Sequence, residues 1–156
     1  MKASFCGPFF KYYLGEIHVT IYTASVKTVN DEPCLVLHKI AGNVIPANTA
    51  VILCTYESSV INLKPCADAS GISVPANNLS GANLPMDAPA NCYIMSYGQN
   101  GLGFYKYAVG KTLSAHKAYL IGSDIASPTS MTMIFAGNAT GNKETDDKAN
   151  TGSSDL

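Results

Sequence analysis

The side chains in this sequence that could carry chemistry are few: three histidines, five cysteines and nine tyrosines. The histidines are His18, His38 and His116. A three-histidine metal site needs its ligands to converge, and no local spacing among these three brings them together. His18 and His38 fall in different strand-like segments, and His116 in a turn. His116 with Asp124 and a serine could form a hydrolytic triad, but no nucleophile-elbow motif anchors one. Gly110-Lys111-Thr112 has the ending of a phosphate loop. The position where that loop needs its first glycine is Tyr105, however, and no helix follows. No spaced run of carboxylates suggests a calcium loop. No cofactor is expected and no catalytic residue can be assigned, so the chain reads as a non-enzyme.

Cys6, Cys34, Cys54, Cys66 and Cys92 contain no pair at the two-residue spacing of a zinc knuckle or redox site. Cys34, Cys54 and Cys92 lie in or beside apolar segments, where a free thiol behaves as a small apolar side chain. Cys54 and Cys66 are the local candidates for a disulfide. Among the tyrosines, strand alternation places Tyr105 and Tyr107 on one face and Phe104 on the other. A row of exposed tyrosines can stack on sugar rings or anchor a protein partner. Tyr105 and Tyr107 are therefore the candidate ligand-binding residues. The absence of tryptophan weakens the sugar reading, and the alternative is that these rings cover a sheet edge.

The elements that must position these groups are strands. Ile17–Thr23 alternates and is rich in β-branched residues, and Cys34–Ile40 follows the breaker Asn30-Asp31-Glu32-Pro33. Further strands are expected over Thr49–Tyr56, Cys92–Tyr97, Gly103–Ala108, Lys117–Ile121 and Met131–Phe135, with a weaker one at Val60–Leu63. Asn100-Gly101 is the strongest hairpin signal. Pro65–Pro89 has no clean period and reads as a long loop. No segment carries a helical stripe longer than two turns.

Leu35–Leu53 aligns without gaps on Gly103–Ile121 at a constant offset of 68, matching Gly42 to Gly110, Val36 to Phe104 and Ala50 to Ala118. Two strand-turn-strand units that each expose an apolar face must pack together to bury it. The expected fold is all-β: an antiparallel β-sandwich or flattened barrel made from two pseudo-repeated units. A single domain is expected over residues 1–136. Residues 137–156 are polar, without an aromatic, and cannot offset their ordering entropy by burial. They are expected to form a flexible tail or linker.

Composition narrows the function classes. Ten Lys+Arg against 11 Asp+Glu leave a net charge of -1, without the basic cluster that nucleic acid demands. No apolar run approaches the ~18 residues of a membrane span. The first eight residues lack the apolar core of a secretory signal, so the sequence reads either as cytoplasmic or as a mature region or fragment.

Val44-Ile45-Pro46-Ala47-Asn48-Thr49-Ala50-Val51-Ile52-Leu53 resembles a segment of an uncharacterised β-domain found in exported and surface proteins of Bacteroidetes. Tyr22–Val26, Asn77–Gly81, Asn100–Lys106 and Ala115–Leu120 are similar to its other segments, in the same order. The resemblance covers about residues 20 to 136. The cysteine content and Phe5–Gly15 depart from the family pattern. The resemblance implies a secreted or cell-surface location, with any signal peptide outside this chain, and no catalytic residues. It implies an accessory or structural module, adhesive roles included, whose partners are neighbouring domains of a larger exported protein, a glycan or a host surface protein. A carbohydrate-binding module using Tyr105 and Tyr107 is the alternative.

Overall fold

A computed structural model describes residues 2–5, 11–13, 19–56, 61–66, 72–122 and 128–138. The chain is all-β, and its main sheet has nine strands curled into a nearly closed barrel. Its first half contains β1 (Lys2–Phe5), β2 (Lys11–Tyr13), β3 (Thr20–Val29), β4 (Glu32–Ile40), β5 (Val44–Ile45) and β6 (Val51–Cys54). After β7 (Lys64–Cys66) the second half contains β8 (Leu79–Ala82), β9 (Met86–Asp87), β10 (Cys92–Gly98), β11 (Gly101–Tyr107), β12 (Thr112–Leu113) and β13 (Lys117–Ile121). Strand β14 (Ser130–Phe135) follows, ending in a 3₁₀ turn at Ala136–Asn138. Residues 139–156, most of the expected linker, lie outside the described residues, as do Cys6, His18 and Asp124.

The strand order is β1-β6-β3-β4-β14-β11-β10-β13-β8, so each half is laid out as the reverse of the other about β14. The registers match as well. Ile21 faces Leu53 and Tyr22 faces Ile52, while Cys92 faces Ile121 and Tyr93 faces Leu120. Ala24 faces Leu37 as Met95 faces Phe104. Among the described residues all pairings are antiparallel except one, β14 running parallel to β4. The same strand is antiparallel to β11, which lets one segment join two halves that point in opposite directions.

Side-chain parity sorts the apolar residues into three clusters. Inward-facing Leu35, Leu37, Ile52, Tyr93, Phe104 and Leu120 fill the barrel. Outside the first half, Ile21, Ile40, Ile45, Val51 and Leu53 form a second cluster, carrying the small sheet β5-β2-β7 above it. Outside the second half, Ala82, Ala88, Cys92, Leu113 and Tyr119 form a third, above which β9 pairs with β12. A strand buried on both faces reads as a continuous apolar run, and β6 (Val51-Ile52-Leu53-Cys54) is buried at every position.

Two readings change. The ungapped match of Val36 to Phe104 does not hold in space, because Leu37 and Phe104 are the inward residues. One residue separates Ile40 from Gly42, whereas two separate Tyr107 from Gly110, and a one-residue slip exchanges the faces of a strand. From the glycines onward the two halves agree again. Gly42 and Gly110 have φ of 87° and 83°, and Asn48 and His116 have φ of 54° and 62°. The expected loop over Pro65–Pro89 also contains structure: Leu79–Ala82 pairs with β13, burying Leu79 and Ala82. With Ser80-Gly81 between those residues, so short a strand leaves no alternation to read.

Backbone and side-chain bonds together bridge the gap in the barrel. Strand β6 covers only Thr20–Tyr22 of the β3 edge, leaving the positions beyond Tyr22 open. Residues 76–78 occupy them: the Asn78 amide donates to the Ala24 carbonyl at 2.7 Å, and Asn78 Oδ1 accepts from the Val26 amide at 2.9 Å. Asn77 Oδ1 accepts from the Ala24 amide at 3.2 Å, and Asn77 Nδ2 donates to the Ala50 carbonyl at 2.9 Å.

Candidate functional site

Strand β11 presents Tyr105 and Tyr107 on the barrel exterior, opposite to the fully buried Phe104, as alternation requires. Both tyrosines are half-buried, and both hydroxyls are used locally. Tyr105 Oη donates to the Gly101 carbonyl at 2.7 Å and accepts from the Asn100 amide at 3.0 Å, clamping the hairpin turn. Its ring occupies the space that a side chain at Gly98 would need. Tyr107 Oη donates to the Thr112 carbonyl at 3.0 Å, and Lys111 Nζ lies 5.5 Å from its ring centroid, within cation–π range. Tyr107 also borders a hollow of about 480 Å³ with Ala90, Asn91, Lys106, Ala108 and Val109. Tyr105 is not part of that lining.

A second, more enclosed cavity of about 250 Å³ lies at one end of the barrel, lined by Thr20, Tyr22, Leu37, Lys39, Phe135 and the turn after it. Sequence reasoning passed over it, because its walls come from β3, β4 and β14 and no local spacing links them. The Tyr22 and Phe135 rings are 5.5 Å apart and tilted by 53°. Burial pushes the Tyr22 hydroxyl above the usual phenol range, with the neighbouring Cys54 and Tyr56 adding to the effect and a hydrogen bond with Thr20 opposing it.

Here comparison with known proteins gives no assignment. No family model, curated protein or solved structure matches the chain.

The remaining sequence candidates are dispersed. His116 occupies the left-handed turn position before β13, its amide donating to the Ala82 carbonyl. Gly110 turns the chain from β11 into β12, so Gly110-Lys111-Thr112 leads into a strand. Cys34, Cys54 and Cys92 are free thiols, and Cys54 is not bridged to Cys66. Among the described residues, no group of three or more His, Cys, Asp or Glu could hold a metal ion. No helix among them is long and apolar enough to cross a membrane.

One polar pair was not legible in sequence. Ser25 Oγ lies 2.7 Å from His38 Nε2, joined diagonally across β3 and β4 on the outer face. Burial, and secondarily the charge of Lys27, hold the His38 imidazole below its ordinary value of 6.5. A histidine depressed in the fold takes up its proton more readily when unfolded. Its contribution to stability is therefore present above pH ~6.5 and is lost as pH falls through the lower folded value. Thermal melts between pH 7 and pH 5 should show a fall in Tm that His38→Gln reduces. An unchanged slope in that variant would remove His38 from the acid sensitivity.

Proposed function

We propose that this chain is a non-catalytic accessory module of a secreted or cell-surface bacterial protein of the Bacteroidetes type. It is built from two copies of one unit and serves to space, stabilise or present neighbouring domains, with adhesion to a surface partner among its tasks. The observation that supports this reading is the reuse of one pairing scheme on both sides of β14, with each outer apolar face carrying its own small sheet. Side chains of catalytic type are spent on the scaffold: Tyr105 and Tyr107 clamp turns, and Asn77 and Asn78 close the barrel. The polar composition of residues 137–156 suits a linker to a neighbour.

A second reading, carbohydrate binding, draws on the hollow beside Tyr107. An aromatic flank with the amide of Asn91 and the ammonium of Lys106 is the chemistry that sugar rings and hydroxyls meet. The two readings separate on a glycan array probed with the full chain and with a Tyr105→Ala/Tyr107→Ala variant. The module reading expects a blank, whereas binding lost in the variant would establish the carbohydrate reading. Ester hydrolysis tests the non-catalytic part. Turnover of p-nitrophenyl acetate abolished by Ser25→Ala would overturn it, because Ser25 and His38 have the hydroxyl–imidazole distance of a nucleophile and its base.

A further inference from the structure

The barrel has two comparable ends, and among the described residues only one is stoppered. At each end a β-strand tyrosine lies directly opposite a lysine: Tyr93 opposite Lys106, and Tyr22 opposite Lys39. Tyr93 is fully buried, and its hydroxyl donates at 2.7 Å to the carbonyl of Pro128, in the segment entering β14. At the other end β14 leaves the barrel. There Phe135 and the turn after it form one wall of the 250 Å³ cavity, and Tyr22 is left half-buried. The direction of a single strand thus makes a cavity at one end of a fold whose other end is filled.

From this difference we propose that the cavity at Tyr22 is a binding site for a small aryl carboxylate. Barrel mouths are common ligand sites, and those for drug-sized molecules begin at about 300 Å³, so this one suits a single ring with a short acidic chain. The tilted Tyr22–Phe135 pair and Leu37 offer an apolar wall on which a ring packs edge to face. Lys39 is the charged residue of the lining, exposed at the rim, and its ammonium would take the carboxylate as a charge-assisted hydrogen bond. The Tyr22 hydroxyl, hydrogen-bonded to Thr20, adds a donor beside it. This site is separate from the Tyr107 hollow, and its failure would leave the module reading untouched.

The test is an amide-resolved NMR titration of the full chain with 3-phenylpropionate, with 3-phenylpropan-1-ol as its uncharged counterpart. Saturable shifts are expected at Tyr22, Leu37, Lys39 and Phe135–Gly137, and none at Tyr93, Lys106 or Thr129. Lys39→Met keeps the alkyl stem and should weaken the acid at least tenfold while leaving the alcohol unchanged. Gly137→Phe places a ring at the rim, where an added Cβ meets nothing within 4 Å, and should abolish binding of both. Absence of saturable binding, shifts spread over both ends, or equal affinity for acid and alcohol would each overturn the proposal. Unaltered acid binding by Lys39→Met would do the same.

Discussion

Phe104→Ala should lower stability by about 3–5 kcal/mol, the range for removing a buried phenylalanine from a core that cannot collapse around the gap. Phe104 is 0% exposed and lies between Met95 of β10 and Met131 of β14, where the second half meets the joining strand. Both neighbours are held by backbone ladders, so neither can move in to fill the space. The Tm should fall by roughly 10–20 °C, since 1 kcal/mol moves a domain of this size by a few degrees. Urea unfolding provides the measurement, and an unchanged m value would show that the loss is one of stability and not of compactness. Leu84→Ala, at a residue 75% exposed, is the control and should stay within about 0.5 kcal/mol. A loss below about 1 kcal/mol at Phe104 would mean that the barrel interior is not one packed core.

Asn77→Ala should cost about 2–3 kcal/mol through a different mechanism. It removes no apolar area of consequence but leaves the amide of Ala24 and the carbonyl of Ala50 without their side-chain partners. Ala24 is 0% exposed and Ala50 3% exposed, so water cannot readily replace the lost bonds. A buried polar group left unsatisfied costs about 1–3 kcal/mol. Asn77→Asp keeps the acceptor for Ala24 but replaces the donor to Ala50 with an oxygen, so it should also destabilise. Hydrogen exchange gives a local readout, and the Ala24 amide should exchange about tenfold faster or more in Asn77→Ala. Unchanged exchange there would show that another contact closes the barrel.

These two residues mark where the sequence was legible. The β11 pattern Gly103-Phe104-Tyr105-Lys106-Tyr107 alternates, so the inward Phe104 and outward tyrosines followed from period alone. The Asn100-Gly101 turn and the Asn30-Asp31 breaker were equally readable. Asn30 and Asp31 both adopt positive φ, as a two-residue hairpin turn requires. Asn77 and Asn78 fall in the stretch read as a long loop, and their task could not be read. Their partners Ala24, Val26 and Ala50 belong to strands far upstream, and the positions those residues expose depend on where β6 ends. The same holds for the barrel-end cavity, whose rim joins Lys39 to Phe135. It also holds for Ser25 and His38, which meet only because β3 and β4 pair in one particular register. Periodicity reports faces. It does not report which strand ends stop short of their neighbours.

The position of β14 sets an order on synthesis. A ribosome emits the chain from its first residue, and both halves have emerged before the strand that lies between them. During that interval β4 and β11 each carry an unpaired edge of amides and carbonyls, and such edges are templates for joining another chain. Assembly of the full sheet must await β14, whose parallel docking on β4 spans the longest sequence separation of any strand pairing among the described residues. Contacts of that kind slow folding and prolong exposure. Truncation before Ser130 would therefore do more than shorten the molecule: it would leave two open-edged half-sheets with no strand to unite them, a composition suited to aggregation.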